Sequence, residues 1–233
     1  MASPASHSNQ PAWRCQWLVL LVFPALAAAQ SPDGGTFVQG RIVDRAVASV
    51  DGKVITLTQL EFETRVQLVN RGGAEAAFAR LDGEDLTSGL ETAIAQRLAT
   101  IEADRFDAWQ LEPGELEQAL AQFRDRIGGE GRLQQFLDAQ EADLADVGLV
   151  LRRAIRAGRA LEGRLRLKAN VSEAEARRAK ADVVAWRALP VDTVRQLLAK
   201  ERFDKLVQQE LTQARKTNDV RLLASFAPDG GTL

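Results

Sequence analysis

Between residues 46 and 56 apolar and polar positions alternate with period two. Ala46-Val47-Ala48-Ser49-Val50 is answered by Lys53-Val54-Ile55-Thr56, with Asp51-Gly52 between them. That spacing predicts a hairpin on a two-residue turn, because glycine takes positive φ without steric cost. Two strands alone are marginal in water, so the hairpin needs a further strand or a helix to lie on. From residue 58 the period becomes helical. Thr58 and Glu61 have capping-box spacing, Phe62, Val66 and Val69 recur at helical intervals, and Gly72-Gly73 stops the run. An Ala-rich turn or two follows over 74–80. The stripe Leu86, Leu90, Ile94, Leu98 and Ile101 predicts a long helix over 85–109.

Glu112-Pro113 starts the next helix, with proline in the first turn where its missing N–H costs nothing. Its stripe is Leu116, Leu120, Phe123 and Ile127, closed by Gly128, Gly129 and Gly131. A short helix carries Leu133, Phe136 and Leu137. A long one over 141–168 places Leu144, Val147, Leu151, Ile155, Leu161 and Leu165 on its apolar side, with Ala154 and Gly158 small enough to admit a neighbouring helix. Ser172 and Glu175 form a second capping box for a charge-dense helix reaching Leu189. After Pro190 the last helix runs over 191–216 with Val194, Leu198, Phe203, Leu206, Val207 and Leu211. Val220-Arg221-Leu222-Leu223 reads as the strand the hairpin lacks. The expectation is a mainly α fold: one multi-helix domain over 42–226, with a small antiparallel sheet formed by the N-terminal hairpin and a C-terminal strand. The Gly/Pro-rich tail over 227–233 is expected to be frayed.

The N-terminus changes the compartment expected. Arg14 precedes an apolar run over 17–26, and Ala27-Ala28-Ala29 supplies small residues for cleavage, which predicts a secretory signal over 1–29. A membrane-spanning helix needs about 20 apolar residues. This run is shorter and contains Pro24, so a retained anchor is the second reading. Cys15 precedes the run, which argues against lipidation. A flexible leader over 30–41 follows. Cleavage near Ala29 removes His7 and Cys15, the chain's lone histidine and cysteine. Imidazole-dependent nucleophilic chemistry and zinc binding then lose their usual residues. No Walker loop or glycine-rich strand-to-helix turn is present, so no nucleotide or other cofactor is expected. The 233 residues carry a formal charge of −2 with 45% hydrophobic and 27% charged positions. That balance suits a folded protein and gives no bulk field toward nucleic acid.

The stretch over 45–60 (strand, turn, strand, helix), the helical stretches 90–109 and 111–120, and the closing pair 197–203 with 219–223 resemble the chaperone module of the SurA-like periplasmic chaperones, in the SurA/PrsA/trigger-factor-like peptide-binding group. The resemblance covers nearly all of the chain beyond its leader. It implies ATP-independent binding of unfolded outer-membrane or secreted polypeptides, with no small-molecule substrate. In that family a parvulin prolyl-isomerase domain is inserted before the returning helix. Here the matching stretch, 171–190, is about 20 residues, and a domain needs about 50 or more. No enzyme activity is therefore expected. An envelope assembly or scaffold subunit with one dedicated partner is the alternative reading, and an isomerase without a parvulin domain a third.

A chaperone of this kind leaves apolar surface open for its clients. Trp109 and Trp186 stand near helix ends, where flat aromatic side chains either line a groove or cap the core. With Phe123, Phe136 and Leu189 they are the candidate peptide-binding residues. Arg152, Arg153, Arg156 and Arg159 are the candidate electrostatic residues of one arginine-rich helix that continues to Arg164, Arg166 and Lys168. They either pair with the chain's own carboxylates or capture acidic client segments or lipid head groups, the latter bringing transient membrane proximity. The charged segment over 172–189 reads as a linker or as a mobile arm over a groove.

Overall fold

The hairpin is completed from the far end of the chain. Strand β1 (Ala46–Val50) pairs antiparallel with β2 (Lys53–Thr56) on one side and with β3 (Val220–Leu222) on the other, giving the order β2-β1-β3. The register sets Ser49 opposite Val54 and Arg221, and Val50 opposite Lys53 and Val220. Asp51 and Gly52 both take positive φ, 49° and 76°, as the tight hairpin turn demands. Asp219 then locks that turn: the Asp51 N–H donates to the Asp219 carbonyl at 2.9 Å, and the Asp219 N–H donates to the Asp51 carboxylate at 3.0 Å. The computed structural model describes residues 44–105 and 107–226. The predicted signal, leader and tail lie outside them.

Seven α-helices stand among the described residues: α1 (Leu57–Asn70), α2 (Gly83–Arg105), α3 (Glu115–Ile127), α4 (Glu130–Ala139), α5 (Leu144–Leu165), α6 (Glu173–Asp182) and α7 (Val191–Thr217). The fold is mainly α with a small antiparallel sheet, as the periodicity predicts. Two 3-10 turns, Ala74–Ala77 and Val184–Trp186, fill connections. The stretch over 171–190 therefore holds one ten-residue helix and a turn.

Burial divides into three clusters. In the first, Val47, Ala48, Val50 and Ile55 of the sheet cover Leu86, Leu90, Ile94 and Leu98 of α2, with Leu60 of α1. Leu211 and Ala214 of α7 pack against this cluster. The Arg215–Glu91 and Arg164–Glu210 ion pairs tie α7 to α2 and to α5. In the second, Val66 and Val69 of α1 meet Phe123 and Ile127 of α3, Phe136 of α4, and Val147, Val150 and Leu151 of α5. Phe136 stacks on Phe62 at 5.9 Å and tilts against Phe123 at 6.0 Å. Full burial of one such phenylalanine is worth about 1.5–3 kcal/mol. The third is a satellite of Val171, Ala176 and Val194, against which Trp186, Leu189 and Leu198 rest half-buried. Helix α1 serves the first two clusters, which is why polar Glu63, Thr64 and Gln67 are buried on it beside its apolar residues.

Several boundaries and faces differ from the expectation. The α1 cap is Thr56, whose hydroxyl accepts from the Gln59 N–H, because the strand runs straight into the helix and leaves Thr58 inside the first turn. Helix α2 ends at Arg105, and Trp109 lies beyond it in an irregular segment at φ 55°. Pro113 precedes the α3 cap, Gly114, which takes φ 83°. Gly131 is inside α4. Helix α5 begins at Leu144 because Asp143 and Asp146 form a reciprocal capping box, and Leu144 itself is 44% exposed. The small residues buried on α5 are Ala157 and Ala160; Gly158 is exposed and Ala154 half-buried. Helix α6 stops at Asp182, where Val183 turns extended, well before Leu189. On α7 only Val194 is fully buried, and the remaining apolar stripe is half-covered.

At Gly89, α2 lies close against α1. A Cβ at this position falls 2.0 Å from the Thr64 hydroxyl oxygen, and Thr64 is buried. We predict that Gly89→Ala destabilises the protein by about 1–3 kcal/mol through overpacking. Adding Thr64→Ala should recover most of that loss in urea unfolding.

Candidate functional site

A cleft of about 580 Å³ opens between the first turns of α1, the C-terminal half of α2 and the N-terminal half of α5. That size falls within the range of ligand sites, about 300–1,000 Å³. Its apolar lining is Phe62 of α1 with Leu149 and Val150 of α5 and Ala142 just before α5. Leu149 is 60% exposed, off the stripe that buries Val147 and Leu151. Its polar lining includes Asp44, Thr58, Gln59, Glu63, Thr100, Asp104, Asp146, Arg152, Arg153 and Arg156.

Glu63 lies at the floor, only 1% exposed. An isolated carboxylate there is prohibitively costly, so the chain surrounds it with cations. Arg97 of α2 binds it with both terminal nitrogens, Nη2 to Oε1 at 2.8 Å and Nη1 to Oε2 at 3.1 Å. Arg153 of α5 adds Nη2 to Oε1 at 2.6 Å. One carboxylate thus joins three helices under the cleft. Burial pushes the Arg153 pKa down, while the charge of Glu63 opposes that shift. The Nε atoms of Arg153 and Arg156 are both buried without a hydrogen-bond acceptor.

At the rim, Asp44 accepts from the backbone N–H groups of Arg45 and Thr58 at the start of α1. A hydrogen bond from the Thr56 hydroxyl, helped by those N–H groups, holds its carboxyl below the usual range. Asp146 is taken by the α5 capping box and Asp104 by Arg156 at 2.6 Å. Arg152 is exposed and has no ion pair or hydrogen bond among the described residues.

The sequence-predicted residues separate. Phe123 and Phe136 are wholly enclosed in the second cluster and line no surface, because they sit on the helical stripes that α1, α3, α4 and α5 turn toward one another. Trp186 and Leu189 close the satellite cluster and line neither this cleft nor the next. Trp109 is half-buried against α5: a Cβ on Gly163 falls 2.9 Å from its indole Nε1. Arg156 and Arg159 of the same helix bind the carbonyls of Ala108 and Gln110 on either side of Trp109, and Arg159 also pairs with Glu115. Arg153, Arg156 and Arg159 are therefore engaged within the protein, and Arg152 alone of the four is left for a ligand. Glu63, Arg97, Phe62 and Leu149 escape a reading by motif. The signal for Glu63 is its place three residues after Leu60 and three before Val66, a charge in the register of a buried face.

A second cleft, about 480 Å³, lies between α5 and α7 and is lined by Gly158, Glu162, Ala169, Ala199, Lys200 and Phe203 among others. Among the described residues no group of three or more His, Cys, Asp or Glu side chains is placed to hold a metal ion. No helix there is long and apolar enough to cross a membrane. No family model and no curated protein matches the chain.

Glu63→Gln leaves two half-buried guanidiniums without a counter-charge, and we predict a loss of about 3 kcal/mol in chemical denaturation. Replacing the triad together, with Glu63→Leu, Arg97→Met and Arg153→Met, should recover most of it. Glu175 gives a pH signature elsewhere in the fold. The Ser172 backbone N–H, with the Arg202 guanidinium next, lowers its pKa from 4.5 to about 2. A depressed carboxylate contributes stability that is present above its ordinary pKa and is lost as pH falls toward the folded value. The stability of α6 should therefore drop between pH 4.5 and about 2. Glu175→Gln should remove that dependence in amide hydrogen exchange across 173–182.

Proposed function

We propose that this protein is an exported, ATP-independent chaperone that holds short segments of unfolded outer-membrane or secreted polypeptides. The signal predicted over 1–29 supports a location outside the cytoplasm. The observation that carries the reading is the open cleft between α1, α2 and α5, where exposed Leu149 and half-buried Phe62 lie beside arginine side chains. An extended segment presents side chains of both kinds within a few residues. A surface that offers apolar area and guanidinium groups together accepts many sequences weakly, which suits promiscuous binding. The resemblance in element order to the SurA-like chaperones supports the same reading. So does the satellite lobe of α6 and the first half of α7, whose Val184 and Leu197 remain 73% and 41% exposed. No catalytic step is assigned: the cleft's carboxylates are each committed to a guanidinium or to backbone N–H groups.

Suppression of aggregation tests this. The purified protein should slow light scattering by several unrelated unfolded polypeptides without nucleotide. Leu149→Glu should raise the concentration needed for half-suppression about fivefold, corresponding to about 1 kcal/mol of lost apolar contact. Its unfolding midpoint should stay unchanged, because the side chain is exposed. Activity toward one partner and none of the others favours a dedicated assembly subunit instead.

A further inference from the structure

We infer that the cleft recognises a carboxylate on its extended ligand: an aspartate or glutamate side chain held at Arg152, next to a large apolar side chain seated on Phe62 and Leu149. This deepens the chaperone reading and rests on it. The argument starts from the state of each charge in the lining. The carboxylates of Glu63 and Asp104 are satisfied by guanidinium groups, and those of Asp44 and Asp146 by backbone N–H groups at the starts of α1 and α5. An acid at a helix N-terminus is offset by the helix itself. The cations are not satisfied to the same degree. Arg153 is held by Glu63, and Arg156 by Asp104 and the Ala108 carbonyl, and the Nε atoms of both are buried out of a ligand's reach. Arg152 has no partner among the described residues.

The unpaired Arg152 guanidinium beside engaged carboxylates favours an incoming acceptor, and a carboxylate is the acceptor whose planar geometry matches it. Counted as formal charges, the lining is not electropositive: Asp44, Glu63, Asp104 and Asp146 face Arg152, Arg153 and Arg156. Selection therefore comes from one charged hydrogen bond and not from a bulk field, and because Arg152 is exposed the preference should weaken as salt is raised. The exposed Leu149 stands three positions before Arg152 on the same helix, so one face of α5 presents both halves of the epitope.

The test is fluorescence anisotropy of the intact protein with three probes. They are an amide-terminated heptapeptide with aspartate between phenylalanine and leucine, the same peptide with asparagine there, and sodium acetate as competitor. The aspartate peptide should bind about five- to tenfold tighter than the asparagine peptide. Arg152→Gln should erase that preference with unchanged circular dichroism, and Arg152→Lys should keep part of it. Equal binding of both peptides to the wild-type protein, or binding of neither, overturns the carboxylate assignment. Acetate displacing the aspartate peptide at matching concentration overturns the extended-chain part. Aggregation suppression measured on the same sample separates the two readings: if it persists in those cases, only this inference falls, and if it is absent, the chaperone reading falls as well.

Discussion

A single carboxylate shared by two guanidiniums fixes where three helices stand. Glu63 of α1, Arg97 of α2 and Arg153 of α5 meet at hydrogen-bonding distance in a place with almost no solvent. Such a group adds little net stability compared with apolar residues of the same volume, since the cost of dehydrating the charges offsets most of their attraction. Its effect is on geometry. It joins α1, α2 and α5 beneath the cleft, whereas α1, α3, α4 and α5 enclose Phe123 and Phe136 completely. Leu149 stands exposed at the cleft's edge.

The return of the chain controls the other half of the molecule. Pairing of β3 with β1 brings the C-terminal end of the described chain beside the start of β1, and Val47 accepts from the N–H groups of Leu223 and Ala224. Helix α7 reaches that strand from a lobe whose own core is Val171, Ala176 and Val194. Three buried residues hold a lobe far less firmly than the clusters around α1, so α6 and the first half of α7 belong to the least stable part of the fold.

Where a local pattern was enough, the sequence was readable. Alternation around Asp51-Gly52 specified the hairpin, the three- and four-residue stripes specified the long helices, and the short run at Val220 supplied the third strand. Boundaries slipped where a neighbouring element took the cap, as Thr56 did at the strand-to-helix junction. Site residues were harder, because they depend on contacts between distant segments. Phe123 and Phe136 lie on helical stripes and belonged to the core on that ground alone. Arg156 and Arg159 do pair with the chain's own carboxylates, one of the two readings the sequence left open, but the Ala108 and Gln110 carbonyls they also bind lie about 50 positions earlier and could not be read from the helix alone. The ligand-facing candidates, Arg152 and Leu149, are separated from those neighbours by no property of their own; only the packing distinguishes them.

We propose that extended polypeptide is held between α1, α2 and α5. The most direct measurement places a photo-crosslinking side chain at Leu149 and, separately, at Arg178 on the exposed face of α6, then irradiates the intact protein with an unfolded outer-membrane polypeptide. Strong adducts at position 149 and background at 178 are the predicted result. Equal yields at both positions, or none at 149, would contradict it.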